Sequence, residues 1–124
     1  MPEVSSAITT VVFDDSFAEV KPRSMYWWFM GFQNLTTVEG IEYLNTSECT
    51  NMNSMFFQCK KLTSINVNNF DVSKVTNASA MFGNCTSLTT ITCDNAWDIE
   101  TAVYMFDGCG ALKNEPKNVT YSSL

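Results

Sequence analysis

Five cysteines and no histidine frame the chemistry open to this chain. Cys59, Cys85 and Cys109 recur at matching places in a repeated phrase, so neighbouring thiols could meet to hold a metal or to pair. Three features argue against both. No CxxC spacing occurs, imidazole is missing, and five is an odd number for disulfides. Phe32 stands in the same slot of an earlier copy, and a ligand column would not accept a phenyl ring. Packing is the favoured reading, with cysteine serving as a small buried hydrophobe. The lack of His also removes the usual general base and nucleophile activator. Asp14-Asp15 suggests acid/base work only until its setting is considered. Adjacent strand residues point to opposite faces, and turns favour Asp for their own reasons. We therefore expect no cofactor, no metal and no enzymatic reaction.

The elements that would carry these residues come from a repeat. Met55-Phe56-Phe57-Gln58-Cys59 returns as Met81-Phe82-Gly83-Asn84-Cys85, then as Met105-Phe106-Asp107-Gly108-Cys109. An aromatic version begins at Trp28-Phe29-Met30-Gly31-Phe32. The phenylalanines Phe29, Phe56, Phe82 and Phe106 are offset by 27, 26 and 24 residues. Such a period indicates stacked units, each burying its neighbour's apolar face. Val75, Ala78, Met81, Phe82, Cys85 and Leu88 are spaced like one face of a helix, with Thr50 and Thr76 as N-caps. Ile65 and Val67, like Ile91 and Cys93, alternate with polar residues, as in a strand. Each unit thus reads as a short helix, a turn, a short strand and a return loop. Strands starting near residues 8, 35, 62 and 88 would form one parallel sheet with right-handed crossovers. Residues 1–7 read as a lead-in, 8–112 as a single domain of four to five coils, and 113–124 as a tail or last edge strand.

Charge narrows the partners. Thirteen acidic against seven scattered basic residues give a net charge of −6. Nucleic acid needs a clustered basic surface, and so does an anionic membrane. No apolar run is long enough to span a bilayer, and the start lacks the pattern of a signal peptide. The chain opens almost inside a repeat, which leads us to expect a piece of a longer protein.

The stretch Phe70-Asp71-Val72-Ser73-Lys74-Val75-Thr76-Asn77, continuing to Met81-Phe82 and Cys85, resembles the roughly 26-residue repeat of BspA-like bacterial surface proteins. Ile41 to Ser47 followed by Thr50 to Phe56 has the same look, and the resemblance covers residues 8–112. It implies a leucine-rich-repeat-like right-handed βα solenoid with a small parallel sheet and short helices. It also implies a secreted or cell-surface setting and an adhesion-type role, with a host or matrix protein or a glycan as partner. Structural spacer repeats without a ligand are the alternative. The family pattern transfers no catalytic motif.

Two surfaces stand out as candidate interaction sites. One is the outer strand face, with Thr37, Ser64, Asn66, Thr90 and Thr92 able to hydrogen-bond a ligand; the bland alternative is a solvated sheet face. The other is an aromatic cluster. Tyr26 and Trp27 fall in slots held elsewhere by Asn53 and Ser54, and Met30 and Phe57 in a slot later held by Gly83 and Asp107. Slots that are polar elsewhere should face solvent, so these four would make an exposed apolar patch. Capping the first unit, or packing beneath the preceding loop, is the competing role.

Overall fold

The computed structural model describes residues 6–113 and the backbone of residues 119–120. The expected lead-in over residues 1–5 and most of the expected tail, residues 114–118 and 121–124, lie outside the described residues. Among the described residues six short strands form: β1 (Thr10–Val12), β2 (Thr37–Glu39), β3 (Ser64–Asn66), β4 (Thr90–Thr92), β5 (Trp97–Asp98) and β6 (Val119–Thr120). Short 3-10 turns follow β1 (Asp15–Glu19) and β2 (Ile41–Tyr43).

The expectation of a leucine-rich-repeat-like βα solenoid does not hold. No α-helix forms between residues 8 and 113, and the strands do not join into one sheet. They make three separate parallel pairs, β1 with β2, β3 with β4, and β5 with β6. Register is Thr10 opposite Thr37 and Ser64 opposite Thr90. A turn lies beside the break between β2 and β3. Gly40 turns the chain at φ 72 directly after β2, and a 3-10 turn follows at once. After β3 the chain instead continues, with Val67 N–H bonding Thr92 O at 2.9 Å.

The predicted helices are replaced by overlapping turns. In the first unit Trp28 N–H donates to Met25 O, Met30 to Trp27 and Phe32 to Phe29, each three residues back. The intervening amides leave the unit altogether. Met25 bonds Asn51 O, Trp27 bonds Asn53 O, Phe29 bonds Met55 O and Gly31 bonds Phe57 O, at 2.8–3.1 Å. Residues 52–58 repeat this toward 77–83, and residues 78–84 toward 101–107. An α-helix would spend these donors within itself. Here every second one ties a unit to the next.

Backbone signs follow from that pattern. Trp27, Gly31, Ser54, Gln58, Ala80, Asn84, Tyr104 and Gly108 all have φ between 55 and 79. A left-handed residue every fourth position makes the chain run two residues inward, then two outward. Met25, Phe29, Met52, Met55, Phe56, Ala78, Met81, Phe82, Ala102 and Met105 are buried in consequence. Inward positions three and four apart mimic a helical face, although no helix is present.

The core is one contiguous cluster running from Phe13 to Phe106. The phenylalanine column stacks with ring centroids 5.3, 5.5 and 5.9 Å apart. Side chains bind the units as well. Thr46 Oγ1 donates to Asp71 O and accepts from Asp71 N–H, while Asn69 Nδ2 donates to Ile41 O and Leu44 O. Asn51 and Asn77, one residue past the expected N-caps, accept from the amides of Asn53 and Ser79 through their side chains. These are Asx turns, which suit a turn start better than a helix cap. Thr50 and Thr76 Oγ1 bond across units, to Arg23 O and Thr50 O.

Candidate interaction surface

The cysteine column has a structural role visible in its bonds. Cys59 Sγ donates to Phe29 O at 3.3 Å, Cys85 to Phe56 O at 3.1 Å and Cys109 to Phe82 O at 2.9 Å. Each thiol thus points to the phenylalanine carbonyl of the preceding unit. All five cysteines are free thiols. Burial pushes Cys59 up to about 12 and raises Cys85 still further. A thiol held protonated is a poor nucleophile and a poor metal ligand. Among the described residues no three His, Cys, Asp or Glu side chains group to hold a metal ion.

The strand-face candidates Thr37, Ser64, Asn66, Thr90 and Thr92 are all exposed. The break in the sheet divides them. Thr37 lies on β2 of the first pair, and the others lie on β3 and β4 of the second. Thr37, Ser64 and Asn66 meet across the gap, where a cleft of about 320 Å³ opens. Its polar capacity is partly spent, because Asn66 Oδ1 already accepts from Asn68 N–H at 2.9 Å. A second cleft of about 440 Å³ lies beside residues 68–73 and 95–98, lined by Asp71, Asp98 and asparagines. Asp71 there is held below the usual carboxylate range by its hydrogen bonds to Ser73.

The aromatic candidates divide differently. Tyr26 and Trp27 are exposed and stack on each other, with centroids 4.5 Å apart and planes 19° from parallel. Met30 is exposed beside them. Phe57 is half-buried, and a Cβ at Gly83 would lie 2.7 Å from its ring. Phe57 therefore packs over the next unit's glycine, leaving Tyr26, Trp27 and Met30 as the solvent patch. Sequence reasoning missed Tyr104, which is 67 % exposed. Its signal was its slot: Trp27, Ser54, Ala80 and Tyr104 are equivalent left-handed positions in four successive units. At strand-like spacing, three steps separate the two outer rings by about 14 Å. Ser54 between them is buried, so the middle of the column is recessed.

Energetically the two outer rings are out of place. A left-handed conformation costs a non-glycine residue about 1 kcal/mol. Small or turn-forming residues fill the middle of the column, whereas Trp27 and Tyr104 take the strain at exposed sites where little apolar burial offsets it. The turn ladder imposes the same conformation on Ser54 and Ala80, so what sets Trp27 and Tyr104 apart is the exposure of their rings. The same face is nearly uncharged. Residues 24–31, 51–58, 77–84 and 101–108 contain a single charged side chain, Asp107. Charges lie elsewhere, as in the pair Lys74 Nζ with Glu48 Oε2 at 2.8 Å, where Lys74 lowers the Glu48 carboxyl.

The model of the family described as "Mycoplasma protein of unknown function, DUF285" matches residues 15–120, and the chain belongs to that family. No curated protein matches the chain, and no solved structure does. Among the described residues no helix is long and apolar enough to cross a membrane.

Proposed function

We propose that this chain is a non-enzymatic interaction module of a secreted or cell-surface protein. The observation that carries the reading is the outward turn face, where the rings of Tyr26, Trp27 and Tyr104 stand exposed. Aromatic side chains of this kind supply large contact area at small entropic cost, and they dominate recognition surfaces. Burial raises the Cys59 and Cys85 thiols, which makes them poor nucleophiles. The resemblance of the repeat to BspA-like surface proteins supports the adhesion-type role and the extracellular setting. Thr37, Ser64 and Asn66 at the sheet gap are the secondary candidate contact.

Immobilised matrix proteins and glycans, probed with the purified chain, provide the test. Binding that is lost when Tyr26, Trp27 and Tyr104 are changed together to Ser is the expected result. Failure to bind any member would favour spacer repeats within a larger protein. Binding that survives the triple change but falls with Thr37→Ala and Asn66→Ala would move the site to the strand face.

A further inference from the structure

Resting on the interaction-module reading, we propose that the outward turn face takes a neutral oligosaccharide, with its outer sugars on Trp27 and Tyr104. Two columns of left-handed residues run side by side across the units. The first, Trp27, Ser54, Ala80 and Tyr104, has rings at its ends and small residues in its recessed middle. The second, Gly31, Gln58, Asn84 and Gly108, is its complement: no side chain at either end, and two carboxamides in the middle. The carboxamides of Gln58 and Asn84 are half-buried, and neither makes a hydrogen bond among the described residues.

This layout matches the chemistry of a sugar chain. A pyranose ring presents an apolar C–H face, whose slightly positive hydrogens pack on the negative face of an aromatic ring. Its hydroxyls both donate and accept, as do carboxamides, and a few such groups fix orientation in a site. The separation of about 14 Å between the two rings suits a short chain of sugars rather than a single one. Charge selects further. With Asp107 as the single charged side chain among the four turn segments, and a net charge of −6, the surface would repel sialylated or sulfated chains. The carboxamides and the nearly uncharged turn segments favour a sugar over a protein, although Arg23, of a type that often anchors protein interfaces, stands beside the first turn segment.

The test uses maltotriose, cellotriose, mannotriose and triacetylchitotriose as neutral probes, with sialyllactose as the anionic comparison. Calorimetric titration of the purified chain should detect at least one neutral trisaccharide and no sialyllactose. Trp27→Ser and Tyr104→Ala copy residues already present in that column, so both variants should fold, as their melting temperatures will report. Each should weaken binding by about tenfold or more. Tyr43→Ala, on the 3-10 turn after β2, should leave it unchanged. Absence of binding to every neutral probe, or binding indifferent to both changes, overturns the proposal. Trp27-dependent binding to an enzymatically deglycosylated matrix protein also overturns it, yet leaves the interaction-module reading standing.

Discussion

The two sides of this molecule are built from the same repeats and are bonded very differently. On the turn side, every second amide in three successive units reaches the following unit, so the ladder runs unbroken from residue 25 to residue 107. On the strand side, pairing stops after two strands and restarts. Both sides share one period and one core. Extended strands alone therefore do not hold such a stack together. Turns can do so when alternate left-handed residues swing their amides outward, and the sheet can then open without dividing the core.

The comparison can be broken most directly from the inside of the turn side. Met81 is fully buried, and Met81→Asp would place a charge there without a partner. The expected loss is about 4 kcal/mol or more, enough to unfold a domain of ordinary stability. Circular dichroism of a folded, cooperative Met81→Asp protein would disprove the inward column. Next comes the junction where the strand side fails. A Cβ on Gly40 would sit 1.9 Å from Phe13 O, at φ 72. Gly40→Ala should cost about 3 kcal/mol by chemical denaturation, through backbone displacement and strain together.

The cysteine column offers a test by pH. The Cys59 thiol is raised from 9.0 to about 12 in the folded state, so folding favours its protonated form. That stabilisation is complete below 9.0 and is lost as pH rises toward about 12. Denaturation curves across that window should show falling stability, and Cys59→Ala should flatten the slope. A smaller effect isolates conformation from crowding. Gly31 has φ 79 with open space around its Cα, so Gly31→Ala should cost only about 1 kcal/mol. If Gly31→Ala costs as much as Gly40→Ala, backbone strain rather than collision governs both. Smallest of all should be Asn66→Asp on the exposed strand face, within about 0.5 kcal/mol.

Much of the interior was legible because identical slots demand identical volumes. Phe56 and Phe82, Met55 and Met81, Cys59 and Cys85, and Leu62 and Leu88 are buried in matching pairs. Helix was the wrong inference because Met52, Met55, Phe56 and Cys59 have helical spacing, and a four-residue turn period produces the same spacing. The distinguishing mark was the slot shared by Gly31, Asn84 and Gly108, of residue types that favour a positive φ. Their recurrence in one slot, with partners four residues earlier, signals left-handed turns instead. The sheet gap was not legible, since β2 and β3 have equally good strand residues. The aromatic patch was readable from Tyr26 and Trp27 as departures from their slots. Tyr104 departs in the same way, but it falls in the unit with the shortened offset.

Within the turn segments the ladder has an electrostatic consequence, although Thr50, Thr76 and Thr101, just before or at their starts, donate back to the preceding unit. The peptide groups joining residues 26 to 27, 28 to 29 and 30 to 31, and their equivalents, direct their N–H groups toward the next unit. Their dipoles therefore add along the stack, as those of a helix add along its axis, whereas those of strands largely cancel. The positive pole lies at the last unit and the negative pole at the first. Side chains flanking the ladder are opposite in sign to the nearer pole, with Lys21 and Arg23 beside the first turn segment and Asp98, Glu100 and Asp107 at the last.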